Sequence, residues 1–193
     1  IDGSITTESE NRCPPVLIRS NGWKKHHLQV AGNVSSQYLS GLMMAAPLVA
    51  TTKDNAGTDS ASDTVRIQVT GELVSRPYVE MTASVMRSFG AEVEISGGDR
   101  NEDLTFEVSM SGYSGIPYAI EPDASAASYF WAAAAITGGS VEVVGLTPSA
   151  MQGDVGFCNV LEKMGCTLAV GPNSMTISGR AKNGIDVDMN HIS

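Results

Sequence analysis

The chain repeats itself, and that repeat limits its fold more than any single residue does. Met86-Arg87-Ser88-Phe89-Gly90-Ala91-Glu92-Val93 and Leu161-Glu162-Lys163-Met164-Gly165-Cys166-Thr167-Leu168 follow one pattern. Each places an apolar residue, a polar pair, an apolar residue and a glycine ahead of a β-prone stretch. The surrounding periodicities follow the same order twice. In the first copy, residues 28–32 read as a strand. Leu39, Leu42, Met43 and Ala46 recur at helical spacing over 35–49, with Pro47 as a stop signal. Residues 64–69 alternate as a strand. Val79, Met81, Val85, Met86 and Phe89 make 77–89 an amphipathic helix with Gly90 as its C-cap. Strands at 91–95 and 104–109 follow, around a turn at 97–99. The second copy reads as a strand at 118–121, an Ala-rich helix over 124–136, a strand at 141–144, a helix over 152–164, and strands at 167–170 and 174–178. Ser36 and Ser125 fall at matching places in the first turns of the leading helices. A further strand is predicted at 16–20. Alternation of this kind implies an α/β (α+β) fold of βαβαββ units with crossover helices. About two units are complete, and a third begins at Ile185-Asp186-Val187-Asp188. Since the chain opens at Ile1 in mid-pattern and stops inside that third copy, a fragment of a longer protein is expected.

Composition excludes several classes of function. With 12 Lys and Arg against 21 Asp and Glu, the formal net charge is −9. Phosphate backbones and anionic membranes are bound by clustered cations, so neither nucleic acid nor a membrane surface is expected as a partner. The longest apolar run, around Tyr129 to Ile136, is too short to span a bilayer. Cys13, Cys158 and Cys166 cannot all pair within one chain, and none lies in a CxxC, which reads as reduced thiols in a cytosolic protein. Residues 51–62 are polar and read as a surface insertion.

Chemistry is concentrated at two helix starts. Ser35-Ser36-Gln37 places two hydroxyls and an amide where free backbone N–H groups and the helix dipole favour an anion. Ser75-Arg76-Pro77-Tyr78 repeats the arrangement, with Ser75 as the expected cap. An ordinary serine cap accounts for either pattern taken alone. Other signals have plainer explanations. Asp186, Asp188, Asn190 and His191 resemble the start of a calcium loop, but His191 stands where its glycine belongs, so an alternating strand is expected and no metal site. Lys24-Lys25-His26-His27 reads as a solvated hairpin turn. Cys158 and Cys166 read as small core groups, and Asp154 as a first-turn acid favoured by the helix dipole.

SSQYLSGLMMAAPL, LVSRPYVEMT, EPDASAASYFWAAAAITGGSVEV, SAMQGD, VLEKMG and DVDMNHIS, in this order, resemble the EPSP synthase family from about Cys13 to Ser193. The insertion at 51–62, Pro122 and Ala126 are departures. The resemblance implies the enolpyruvyl transferase fold, two domains of three βαβαββ units each. Residues 1–120 would belong to the first domain and 121–193 to the second, with a hinge near Glu121 to Asp123. It implies that Ser35, Ser36 and Ser75 hold the phosphate of shikimate 3-phosphate. Gln37 would lie between that substrate and phosphoenolpyruvate, and Tyr78 would line the shikimate ring. Arg76 occupies a variable position and is given no role. The implied reaction moves the carboxyvinyl group of phosphoenolpyruvate to the 5-hydroxyl of shikimate 3-phosphate, with no metal or organic cofactor. The family's catalytic aspartate would follow Ser193 almost at once, so no catalytic residue is expected within this chain, which by itself would be inactive. The family further implies a monomer and a cytoplasmic location. Two other readings are the sister transferase acting on UDP-N-acetylglucosamine, which typically uses a loop cysteine that has no counterpart here, and a non-catalytic relic of the fold.

Overall fold

A computed structural model describes residues 3–11, 13–20, 23, 25–49, 63–97, 104–189 and 192. The insertion at 51–62, Lys24, Asn190, His191 and most of the turn at 97–99 lie outside the described residues. The chain divides into two compact units, Ile1–Val74 with Thr82–Gly115, and Ser75–Met81 with Ile116–Ser193.

In the first unit, β1 (Gly3–Thr7) pairs antiparallel with β2 (Val16–Ser20), with Ile5 opposite Ile18. Sequence periodicity gives no sign of β1, because GSITT has too few apolar residues to alternate. A separate four-stranded sheet contains β3 (His27–Ala31), β4 (Thr64–Thr70), β5 (Val93–Ser96) and β6 (Thr105–Ser109), in the order β3-β4-β6-β5. β3 and β4 run parallel, as a crossover helix requires, and the other pairs are antiparallel. That helix is α1 (Ser36–Ala45). One 3-10 turn, Ala46–Leu48, replaces the expected last turn, because Pro47 has no N–H for the α ladder. α2 (Arg76–Ser88) links β4 to β5. Along β4, buried Val65, Ile67 and Val69 alternate with exposed Arg66, Gln68 and Thr70, so one face of the sheet turns to the core. Leu39 and Met43 of α1 and Phe106 and Val108 of β6 are buried as well. Burying side chains of this size stabilises a fold by roughly 1.5–3 kcal/mol each. The Tyr113 hydroxyl donates to the Met44 carbonyl at 2.8 Å and satisfies one of the orphan acceptors at the end of α1. The hairpin turn expected at 24–27 includes Lys24, outside the described residues; β2, before it, and β3, which begins at His27, belong to different sheets.

The second unit is built on α3 (Ala124–Thr137). The Asp123 side chain caps it by accepting from the Ala126 amide at 2.8 Å. Gly138, left-handed at φ +80°, ends it. Ala124, Ala127, Trp131, Ala134 and Ala135 share one face and are buried with Leu146, Val155, Cys158, Leu161, Met175 and Ile177. The small alanines let the helix approach closely, and Trp131 fills the centre. β7 (Ser140–Val144), β8 (Thr167–Gly171) and β9 (Ser174–Ser178) form an antiparallel sheet in the order β7-β9-β8. This repeats the order and antiparallel sense of β4-β6-β5, as the sequence repeat requires. The helix expected over 152–164 is a 3-10 turn, Gly153–Gly156, followed by α4 (Phe157–Lys163). Two glycines in its first turn explain the weaker start. Residues 118–121 and 185–188 are in no strand, contrary to their alternation, because neither finds a sheet edge among the described residues. Among the described residues no helix is long and apolar enough to cross a membrane.

Candidate functional site

The start of α1 sits just past the carboxyl end of β3, the end of a parallel strand where open α/β sheets place their ligands. The local chain is tightly set. The Gly32 amide donates to the Thr70 carbonyl at 2.9 Å, and the Gly32 carbonyl accepts from the Val74 amide at 3.2 Å. A side chain at this glycine would lie 2.7 Å from Val69 Cγ1 and 2.9 Å from the Glu72 carbonyl oxygen, so no larger residue fits.

Ser35 is the N-cap of α1, in extended conformation at φ −168° and ψ 134°. Its Oγ accepts from the Gln37 amide at 3.2 Å. Capping uses a lone pair of the oxygen, so the hydroxyl still has a proton to donate. Ser36 opens the helix, both serines are half-buried, and Gln37 is exposed. No acidic residue stands in this first turn to offset the positive end of the helix. The structure therefore puts Ser35, Ser36 and Gln37 together as a neutral set of donors suited to an anion.

Ser75 and Tyr78 group with the second unit. Ser75 differs from expectation: its φ of +54° is left-handed, not the extended geometry of a serine cap. Its carbonyl accepts from the Tyr78 amide at 3.1 Å, and its side chain is exposed. A non-glycine residue in this region is uncommon and carries backbone strain. Arg76 Nε lies 2.8 Å from Glu80 Oε1 along the helix surface, so its charge is engaged locally.

Tyr78 leads to a residue that sequence reasoning set aside. Its hydroxyl donates to Asp154 Oδ2 at 3.5 Å, and Ser125 Oγ donates to Asp154 Oδ1 at 2.8 Å. Asp154 does lie in a first turn, that of the 3-10 helix, but its carboxylate serves two side-chain donors. The match between Ser125 and Ser36 was the available clue. In the second copy of the repeat, the hydroxyl at the start of the helix already serves an anion. Nearby, the Glu121 carboxylate accepts from the Met151 amide at 3.0 and 3.1 Å and from Gln152 Nε2 at 3.3 Å. Gln152 in turn donates to the Pro122 carbonyl at 2.7 Å and accepts from the Ala124 amide at 2.9 Å. The segment entering α3 is thus pinned at 121, 122 and 124.

Among the described residues no three His, Cys, Asp or Glu side chains gather as metal ligands, and Asp186 and Asp188 are exposed. A broad concavity of about 670 Å³ on the outer face of β3 and β4 is lined by Lys25, His27, Gln29, Arg66 and Gln68. Three of these polar side chains are engaged: Gln29 donates to Gln68 at 3.1 Å, and Arg66 lies 3.6 Å from Glu107.

A model of the family described as EPSP synthase (3-phosphoshikimate 1-carboxyvinyltransferase) matches residues 1–193. Curated relatives named 3-phosphoshikimate 1-carboxyvinyltransferase include one from Marinomonas sp. (strain MWYL1), 39% identical over 188 residues. Another, from Escherichia coli O17:K52:H18 (strain UMN026 / ExPEC), is 40% identical over the same length. The matches cover 97% of this chain but 41% and 40% of those proteins, so the chain spans about two fifths of the length of these relatives.

Proposed function

The chain belongs to the EPSP synthase family, and we propose on that basis that the whole protein transfers the carboxyvinyl group of phosphoenolpyruvate to shikimate 3-phosphate. The 5-hydroxyl adds to C2 of phosphoenolpyruvate as C3 takes up a proton. The tetrahedral intermediate then loses that C3 proton equivalent and inorganic phosphate, leaving the enolpyruvyl ether. Each half requires general acid–base groups and cationic clamps on two anionic substrates. On this reading those groups come from parts of the protein outside residues 1–193, and this chain contributes binding.

The observation that carries the proposal is the start of α1. Ser35 caps the helix with its oxygen and keeps its proton, Ser36 and Gln37 stand beside it, and the first turn of the helix holds no carboxylate. A phosphate dianion there meets neutral donors and the positive end of a helix dipole, with no local lysine needed. The second copy of the repeat supports the same logic, since its equivalent hydroxyl on Ser125 holds the Asp154 carboxylate. Ser75 is read as a further donor to the phosphate, Tyr78 as a wall for the shikimate ring, and Gln37 as the residue between the two substrates. Residues 1–120 are read as part of one domain and 121–193 as part of the second, in a monomeric cytoplasmic enzyme that uses no metal or organic cofactor.

The test is steady-state release of inorganic phosphate by the full-length protein, supplied with phosphoenolpyruvate and either shikimate 3-phosphate or UDP-N-acetylglucosamine. Turnover is expected with the shikimate ester alone. Turnover with the nucleotide sugar alone transfers the assignment to the sister enzyme, and turnover with neither overturns the reading.

A further inference from the structure

We infer that Asp154 is a positioning residue for Tyr78, fixing the phenol that faces the substrate ring; the inference rests on the function proposed above. Both residues belong to the second unit. The carboxylate is itself fixed, because Ser125 Oγ donates to Oδ1 at 2.8 Å while the Tyr78 hydroxyl approaches Oδ2 at 3.5 Å. The backbone under Asp154 has little room to move. A side chain on Gly153 would lie 2.6 Å from the Ile192 carbonyl oxygen and 3.9 Å from Pro77 Cβ. That second distance brings the first turn of α2 against the Gly153–Asp154 turn, at the residue next to Tyr78. Pro77, Tyr78, Gln152 and Asp154 line the same narrow seam.

The separation of 3.5 Å makes the phenol–carboxylate contact a weak hydrogen bond, enough to steer a ring and too weak to anchor the fold. Its direction matters more than its strength. A phenol that turns its proton toward a carboxylate offers its oxygen lone pairs to a ligand, which suits a ring that presents hydroxyl groups. Asp154 therefore acts on the substrate only through Tyr78. Losing it would relax the orientation of the ring and weaken substrate binding, leaving the chemical step alone.

A double-mutant cycle in the full-length protein tests this, with Tyr78→Phe, Asp154→Ala, the two combined, and Asp154→Asn. Asp154→Ala is expected to raise KM for shikimate 3-phosphate by about three- to tenfold with kcat changed by less than about twofold. Combined with Tyr78→Phe, it is expected to add nothing. Asp154→Asn keeps a carbonyl acceptor and is expected to restore most of the affinity. In protein labelled with carbon-13 at tyrosine Cζ, the Tyr78 signal, assigned by its loss in Tyr78→Phe, should shift in Asp154→Asn without any ligand. That measurement remains available if Asp154→Ala does not fold. Equal effects of Asp154→Ala in both backgrounds, or an unmoved Tyr78 signal, overturn the positioning role in an active enzyme. Absence of turnover by the parent protein is a different result, which removes the functional reading on which the role depends.

Discussion

Val74 donates its amide to the carbonyl of Gly32 at 3.2 Å, while the Gly32 amide donates to Thr70 at 2.9 Å. One glycine thereby ties the loop after β3 to the loop after β4. The loop after β3 ends at Ser35, and Ser36 and Gln37 open α1 directly beyond it. Val74 is the last residue before Ser75. The parallel pairing of β3 with β4, Ala31 opposite Thr70, sets both loops at the same end of the sheet. Ser35 and Ser75, 40 residues apart in sequence and proposed above as phosphate ligands, thus each end a loop tied to this one glycine.

Gly32→Ala tests that tie. The added carbon would meet Val69 Cγ1, the Glu72 carbonyl oxygen and Leu73 Cα at 2.7, 2.9 and 3.0 Å, two of them backbone atoms that cannot step aside. Forced overpacking of this kind costs about 1–3 kcal/mol. The denaturant midpoint should fall accordingly, and affinity for shikimate 3-phosphate should fall with it because the loops spread. An unchanged midpoint would show that the backbone yields at no cost.

Ser35 has two roles that substitution can separate. As an N-cap it accepts from the Gln37 amide, and as the phosphate ligand proposed above it would donate its own proton. Ser35→Ala removes both, with an expected loss of about 0.5–2 kcal/mol of stability and a weaker substrate complex. Ser35→Asp restores the cap but brings a negative charge to the place of the phosphate. Its melting temperature should therefore return toward that of the parent while binding becomes weaker than in Ser35→Ala. If Ser35→Asp recovers both, the hydroxyl is a cap only.

The repeat explains how much of this was legible in the sequence. Elements with strong periodicity, such as β4 with its buried Val65, Ile67 and Val69, could be read because burial on one face leaves an alternating trace. So could the serines at the start of α1, where capping chemistry is local in sequence. Residues 118–121 alternate too, yet form no strand among the described residues, since alternation reports side-chain preference and a strand also needs a partner. The same limit hid Asp154. Its partners Tyr78 and Ser125 are 76 and 29 residues away, and no spacing rule connects them. The left-handed φ of Ser75 was invisible for another reason, because the sequence offers asparagine or glycine as signals of that conformation and serine is neither.

Thiol chemistry should distinguish the three cysteines. Cys13 is exposed, whereas Cys158 and Cys166 are buried. In the native protein one of these three thiols, Cys13, should react promptly with a disulfide reagent, and the other two only on unfolding. Burial pushes the Cys158 thiol up from 9.0 to about 12. Between those values the unfolded thiol has lost its proton and the folded one has kept it. The group therefore leaves stability unchanged below about pH 9 and lowers it progressively as the pH rises from there to about 12. Cys158→Ala removes that dependence, so the stability difference between parent and variant should narrow above pH 9. A constant difference from pH 7 to pH 10.5 would contradict the buried, neutral thiol.

Ser75 provides the sharpest test, because stability and function should move in opposite directions there. Its φ of +54° places an L side chain where the Cβ crowds the backbone, at a cost of roughly 1–2 kcal/mol that glycine avoids. Glycine also gives the unfolded chain more freedom, which takes back part of the gain. The balance for Ser75→Gly is a stability equal to the parent's or higher by up to about 1 kcal/mol. If the serine is retained for its hydroxyl, the same change should weaken shikimate 3-phosphate binding by about tenfold or more, as expected for a lost hydrogen bond to a charged group. Ser75→Ala should lose the affinity and keep the strain, so the two variants should bind alike and melt differently. Full affinity in Ser75→Gly would show that the strain at this turn serves the path of the chain into α2 and not the ligand.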